Sequence, residues 1–118
     1  MRIQLFFVAS IVMLMGIHVS LVFAEVDART TRTWKAKCAS CHGDDGKGQT
    51  EQGKKMGIAD MTTAAWQKEF ADDKIKAAIN TGLKRDKNGK KQEMEGFSDK
   101  LRPEQVDALV GLMRSLAK

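Results

Sequence analysis

Residues 38–42 combine two thiols and an imidazole, and these residue types at this spacing suit the attachment of a porphyrin. They read Cys-Ala-Ser-Cys-His, and the two cysteines are the only ones among the 118 residues. In a C-x-x-C-H pattern both sulfurs can add to vinyl groups on one edge of a haem, because two residues separate them. The imidazole that follows is held under the iron as an axial ligand. The motif predicts one covalent haem on Cys38 and Cys41, with His42 as proximal ligand.

Three other uses of a cysteine pair are less consistent with this chain. A thioredoxin-like redox centre needs a strand–helix–strand unit nearby, and none is indicated. A zinc site needs about four nitrogen or sulfur ligands, whereas the only histidine besides His42 is His18, in an apolar leader. A structural disulfide is disfavoured over so short a loop.

A second axial ligand would close the iron to gases and peroxide, and a thioether would also raise the reduction potential. Downstream of His42 the chain offers Met56, Met61, Met94 and Met113. Met113 lies on the apolar stripe of the last predicted helix, and Met56 and Met61 could line the haem pocket as pliable apolar side chains. Met94 lies 52 residues after His42, which allows two helices to wrap the haem, so position favours Met94.

The first 24 residues have the pattern of a secretory signal. Arg2 is followed by a mostly apolar stretch and then by small residues before Glu25, which predicts cleavage after Ala24. The alternative is an uncleaved anchor, because the apolar stretch approaches the roughly 20 residues that span a bilayer. The predicted organisation is a signal peptide at 1–24 and one domain at 25–118, located in the periplasm.

The domain is predicted to be all-α, because alternating β-branched runs are missing and proline occurs once. Apolar periodicity, glycines and capping residues divide it into segments. In chain order these are a helix at 27–37, a glycine loop at 43–48, a loop with one helical turn at 49–63, a short helix at 63–70, a helix at 72–80 capped by Asp72 or Asp73 and stopped by Gly82, an irregular loop at 83–97, and a last helix from Pro103.

Basic residues exceed acidic ones by 20 to 15, for a net charge of +5. The excess is uneven, with clusters at Lys47, Lys54 and Lys55 and at Lys84, Arg85, Lys87, Lys90 and Lys91. One reading is a solvated face that keeps the protein soluble. The other is a basic collar that steers it toward the acidic surface of a redox partner protein. Nucleic acid is a poor alternative, because no aromatic residues interleave the basic run.

Over residues 25–118 the chain resembles a small class I cytochrome c of the bacterial type. The matching segments are Trp34 with 38–43, the Asp45–Gly48 loop, Met94-Glu95-Gly96-Phe97, and 101–105. The resemblance implies Met94 as the distal ligand and a cytochrome c fold of three to five helices around one haem. It also implies that the first and last helices cross, with Trp34 against Leu109 or Leu112.

Several positions depart from the family's usual pattern. Thr30 replaces a glycine at the helix crossing, which requires Gly111 on the partner helix to supply room. Glu95 stands where proline often follows the ligand methionine, and no proline after the haem motif buttresses His42. Leu112 replaces an aromatic residue of the last helix, and Arg102 is a poor helix N-cap.

The sequence therefore predicts an exported electron carrier with one His/Met-ligated haem c, and not an enzyme. Two alternatives remain. One is a haem subunit of a larger membrane-associated oxidoreductase. The other is a haem enzyme or gas sensor in which Met94 is a labile distal ligand.

Overall fold

The computed structural model describes residues 27–118, which form six α-helices and one two-stranded sheet. The helices are α1 Ala28–Lys37, α2 Ala39–His42, α3 Glu51–Met56, α4 Ala64–Glu69, α5 Asp72–Thr81 and α6 Pro103–Ser115. The strands are β1 Leu83–Lys87 and β2 Lys90–Met94. The mostly helical architecture is confirmed. Two details differ from the expected all-α fold of three to five helices: the described part contains six helices, three of them of six residues or fewer, and it adds a two-stranded hairpin.

Local sequence accounts for several of the helix starts. The Asp27 carboxylate accepts a hydrogen bond from the Thr30 amide at 2.6 Å, and the Thr50 and Thr63 hydroxyls accept from Gly53 and Trp66 amides at 2.9 and 3.2 Å. Each bond satisfies an amide that has no partner within its own helix.

Two helix starts differ from the sequence-based expectation. The N-cap of α5 is Ala71, so that Asp72 and Asp73 lie in its first turn and favour its positive end by charge rather than as caps. At α6 the Gln105 side chain accepts a hydrogen bond from the Arg102 amide at 3.0 Å. This bond partly remedies the poor N-cap at Arg102.

The core lies between α1, α5 and α6, and α1 contacts α6 as expected for the first and last helices. Trp34 and Leu109 are buried in one cluster, with Leu112 packed against it. The expectation that Gly111 makes room for Thr30 is wrong, because Gly111 is exposed and a Cβ there would meet nothing within 4 Å. Thr30 is buried beside a small cleft that the short side chain of Ala108 also lines.

The end of α6 is held to α4 and α5 by polar side chains. The Arg114 guanidinium donates to the Gln67 carbonyl at 2.9 Å and to the Phe70 carbonyl at 2.5 Å, and pairs with Asp72 at 2.7 Å. The Gln67 amide donates in turn to the Met61 and Met113 carbonyls at 2.7 and 3.0 Å. These bonds fix the backbone at two methionines that line the cavity described below.

The expectation of an irregular loop at 83–97 is wrong over most of that range, because residues 83–94 form an antiparallel hairpin. Leu83 pairs with Met94, Arg85 with Gln92 and Lys87 with Lys90. The turn consists of Asn88 and Gly89, both at positive φ (54° and 72°), which is the geometry that matches the twist of two short strands.

Within residues 27–118 no helix is long and apolar enough to cross a membrane. The predicted signal peptide at 1–24 and its cleavage after Ala24 lie outside the described residues, so both stay predictions.

Candidate functional site

A cavity of about 310 Å³ opens beside the haem motif, and most of the side chains that line it are apolar. Three predicted site residues, Cys38, His42 and Met94, lie in its wall, whereas Cys41 does not. The apolar lining also includes Trp34, Met56, Ile58, Met61, Trp66, Phe70, Ile75, Ile79, Leu83, Leu109 and Met113. The structure therefore brings together predicted site residues that are up to 56 positions apart in the sequence, from Cys38 to Met94.

The cysteines lie at the junction of the first two helices. Cys38 is the C-cap of α1 and the N-cap of α2, and the amides of Cys41 and His42 both donate to its carbonyl, at 3.2 and 3.0 Å. Residues three and four apart share one side of such a turn, which is why this spacing suits two attachments and a ligand. Burial raises the pKa of the Cys38 thiol to about 11, so an unmodified Cys38 is neutral at pH 7.

The backbone after His42 is fixed by contacts that leave no room for side chains. The Gly48 amide donates to the His42 carbonyl at 2.8 Å, and the Thr50 hydroxyl donates to the Cys41 carbonyl at 2.9 Å. A Cβ on Gly53 of α3 would lie 2.5 Å from the Cys41 carbonyl oxygen and closer still to that of Gly48. The predicted glycine loop is confirmed, with Gly48 at φ 66°. Together, Gly48 in this loop and Gly53 in α3 let α3 pack directly against the haem motif.

The His42 imidazole is largely enclosed, and burial lowers its pKa, so that it is neutral at pH 7. A neutral imidazole is the form that offers a lone pair to iron. The ring lies 5.9 Å from that of Trp34, whose indole N–H donates to the Gly43 carbonyl at 3.0 Å. His42 Nδ1 is the one fully buried side-chain nitrogen or oxygen in the described part of the chain without a hydrogen-bond partner.

Met94 is the last residue of β2 and is half-buried in the cavity wall. The segment that follows it is tied to the end of α5, since the Phe97 amide donates to the Ile79 carbonyl at 2.8 Å. Gly82 lies against this segment so closely that a Cβ would come within 2.5 Å of the Met94 carbonyl oxygen. Glu95, in the position where the resemblance leads us to expect proline, pairs with Lys100 at 2.6 Å.

The other methionines of residues 27–118 also line the cavity. Met61 and Met113 are buried in the core, and Met56 is half-buried at the end of α3. The expectation that Met56 and Met61 line the pocket and that Met113 packs in the core is therefore confirmed. Met94 differs from them because it is the last residue of a strand, and the segment that follows it is tied to α5.

Sequence reasoning did not identify Gln92, the most buried polar residue of the cavity wall. Its side-chain amide donates to the Met56 and Gly57 carbonyls at 3.0 and 2.9 Å, and its carbonyl accepts from Arg85 Nε at 2.8 Å. It therefore joins the hairpin to the C-terminus of α3. The Asn88-Gly89 pair was the available signal, since a two-residue turn fixes which residues of the flanking strands share a face.

Basic residues gather at the hairpin side of the cavity. Arg85, Lys87 and Lys74 of α5 line the cavity itself. Lys90 bridges the hairpin to α3, donating to the Lys54 carbonyl at 2.8 Å. The basic cluster around Lys54 and the basic cluster of the hairpin, which are separate in the sequence, therefore meet in the structure at Lys54 and Lys90.

The wall chemistry fits a haem. Its faces would meet apolar side chains, and its iron would meet a neutral imidazole and a thioether from different elements. Zinc lacks comparable support, because residues 27–118 contain no group of three His, Cys, Asp or Glu placed to hold a metal ion. Cys38 and Cys41 are not joined to each other in a disulfide.

Comparison with known proteins identifies the same family as the resemblance noted in the sequence. Residues 28–117 match the sequence profile of the Cytochrome c family. The fold is similar to the solved structure of the KustC0563 c-type cytochrome, with a TM-score of 0.64 and 32% sequence identity. That match covers 75% of this chain and 98% of the other. A search of curated proteins gave no significant match.

Proposed function

Because the chain belongs to the cytochrome c family, we propose that it is an exported carrier of single electrons with one covalent haem. Proteins of this family carry haem c, and Cys38 and Cys41 fit the attachment motif. In this proposal the two cysteines form thioethers with one haem, and His42 and Met94 are the axial ligands of its iron. The carrier makes and breaks no bond of a substrate.

The observation that carries the proposal is that Cys38, His42 and Met94 line one apolar cavity. When bound there, the haem iron supplies a one-electron couple between its ferric and ferrous forms. His42 donates a neutral nitrogen, and Met94 donates a sulfur that favours the ferrous form. The apolar side chains keep water from the iron, so that the change in charge requires little rearrangement of solvent.

The anchoring of Met94 supports an electron carrier over a haem enzyme or gas sensor. A sensor needs a distal side that opens easily. Here the strand before Met94 is tied to α3 through Gln92, and the segment after it is tied to α5 through Phe97. Both attachments hold Met94 in place and so favour an iron whose sixth coordination position is occupied by its sulfur.

The proposed partners are redox proteins with acidic docking surfaces. Lys87, an exposed cation of the hairpin, lines the cavity proposed to hold the haem. Opposite charge on a partner would raise the rate of encounter at low salt. The proposed location is the periplasm, reached through the leader at 1–24.

The test is the visible spectrum of the exported protein, oxidised and reduced, with and without carbon monoxide. A low-spin c-type spectrum that does not change with carbon monoxide is expected, because Met94 occupies the sixth position. The matched variants are Met94→Leu, which should bind carbon monoxide when reduced, and Met61→Leu, which should not. Carbon monoxide binding by the unmodified protein would overturn the proposed ligation and favour an enzyme or sensor.

A further inference from the structure

Three cations line the mostly apolar cavity: Lys74, Arg85 and Lys87. None of them forms an ion pair with another described residue. The one carboxylate in the cavity wall, that of Glu93, is paired with Lys84 at 3.7 Å. The cavity therefore presents positive charge without a matching anion of the protein.

Arg85 differs from the two lysines because its head group is held in place. Its Nε donates to the Gln92 side-chain oxygen at 2.8 Å, across the strand pair in which the two residues are partners. Gln92 is only 7% exposed and is itself fixed by two bonds to the carbonyls that end α3. Lys74 and Lys87 make no hydrogen bond through their ammonium groups to any residue in the 27–118 range.

A guanidinium bound through Nε retains its two terminal NH₂ groups, which form a planar fork suited to a carboxylate. In the described part of the chain neither of these groups has a partner. The fork is also weakly hydrated and pre-organised by Gln92, so that little side-chain entropy is lost when an anion binds. An unoccupied fork beside an apolar cavity is a site for a carboxylate.

We propose that Arg85, positioned by Gln92, binds a carboxylate of the haem. The proposal depends on the proposed function, since it is the haem that brings two carboxylates into an apolar cavity. Pairing lowers the cost of placing these negative charges near the iron, and the cation itself favours the ferrous form. Arg85 thereby raises the reduction potential.

The experiment compares the reduction potentials of the haem-loaded protein and three variants. Arg85→Gln removes the fork. Lys91→Gln removes one charge from the other strand of the hairpin, where the exposed side chain does not line the cavity. Lys87→Gln removes an unfixed cation that does line it. Haem attachment and exclusion of carbon monoxide are measured first, so that failure of the proposed function is seen separately.

For Arg85→Gln we expect a fall in potential equivalent to roughly a tenfold change in the redox equilibrium, or about 59 mV for one electron. The fall should persist in part at about 1 M salt, because Arg85, although exposed, would be in direct contact with the carboxylate, and charges in contact are screened less than separated ones. The two lysine variants should shift the potential less, and their shifts should vanish at high salt. Arg85→Lys should recover part of the loss, and it serves as the test if Arg85→Gln does not fold.

An Arg85→Gln shift no larger than that of Lys91→Gln, and abolished by salt, would overturn the proposal. Arg85 would then be one of the exposed basic residues of the hairpin that contact a redox partner.

Discussion

The two sides of the cavity are built by different means. On the His42 side, backbone packs on backbone, and Gly48 and Gly53 allow α3 to lie against the motif with no side chain between. On the Met94 side, an exposed hairpin is attached to α3 by the side chains of Gln92 and Lys90. The contact between α3 and the motif tolerates almost no added atom, whereas the contact between α3 and the hairpin depends on polar bonds whose geometry can adjust. The motif proposed to carry the haem is therefore rigidly positioned, and the hairpin that carries Met94 is the part that substitutions can tune.

The largest expected effect is that of Gly53→Ala. Its Cβ would overlap the Cys41 and Gly48 carbonyls, which are backbone atoms that cannot turn aside. We expect a loss of about 3 kcal/mol in the free energy of unfolding and a sharp drop in the yield of haem-loaded protein. Denaturant unfolding and haem staining measure the two quantities.

The matched control is Gly111→Ala, also within a helix but facing open space. Alanine there should stabilise the protein by about 0.5–1 kcal/mol, because glycine is the poorer helix former. Equal effects at the two glycines would show that the His42 side is no tighter than an exposed helix face.

A smaller effect is expected for Gln92→Leu. Leucine leaves the Met56 and Gly57 carbonyls without their donor and Arg85 without its acceptor, at a cost of about 2 kcal/mol. Because the hairpin carries Met94, carbon monoxide binding to the reduced protein should appear as well, while the haem stays attached.

Lys91→Leu, on the exposed face of the same strand, is the comparison variant and should change stability by no more than about 0.5 kcal/mol. If Gln92→Leu reduced haem attachment as strongly as Gly53→Ala, the distinction between the two sides would be lost.

Trp34→Phe tests one of the two side-chain hydrogen bonds that support the His42 side, the other being that from the Thr50 hydroxyl to the Cys41 carbonyl. Removal of the indole N–H leaves the buried Gly43 carbonyl without its donor, and we expect a loss of about 1–2 kcal/mol in unfolding free energy. Trp66→Phe is the control, because the Trp66 indole makes no hydrogen bond within residues 27–118. A larger loss at Trp66 would contradict the assignment of support to Trp34.

The smallest effect is the pH dependence due to Asp60. Hydrogen bonds from the Thr62 hydroxyl and amide, at 2.6 and 2.8 Å, lower the pKa of the Asp60 carboxyl below its ordinary value of 3.8. The folded state thus favours the carboxylate, so its contribution to stability is present above about pH 4 and is lost as the pH falls through the lowered pKa. The difference in unfolding free energy between the protein and Asp60→Asn should shrink in acid.

Asp99→Asn removes a carboxylate that accepts no hydrogen bond in the described part of the chain, and it controls for charge alone. A difference for Asp60→Asn that stayed constant into strong acid would contradict the assigned bonds.

The His42 side was predictable because its signals are local. The C-x-x-C-H spacing, the glycines that follow and the apolar stripe of α6 each lie within a few turns of chain, and the structure agrees with all three. The match to the family covers residues 28–117.

The Met94 side was less predictable because its strands have no apolar alternation. Residues 84–87 and 90–93 are all charged or amide side chains, so that hydropathy indicates a loop. What stabilises the hairpin is contact with α3, which lies more than 30 positions away in the sequence. Gln92 likewise reads as a surface residue until its two carbonyl partners are known.

The register of the hairpin has a consequence for how this sequence can diverge. Lys90, Gln92 and Met94 alternate along β2 on one face, which meets α3 and the cavity. Loss or gain of one residue inside β2 would turn Met94 outward, since neighbouring residues of a strand face opposite ways. Additions at Gly89, where a side chain would meet open space, would leave the alternation intact. Descendants of this gene are therefore expected to vary in length at the tip of the hairpin and to keep the length of its arms.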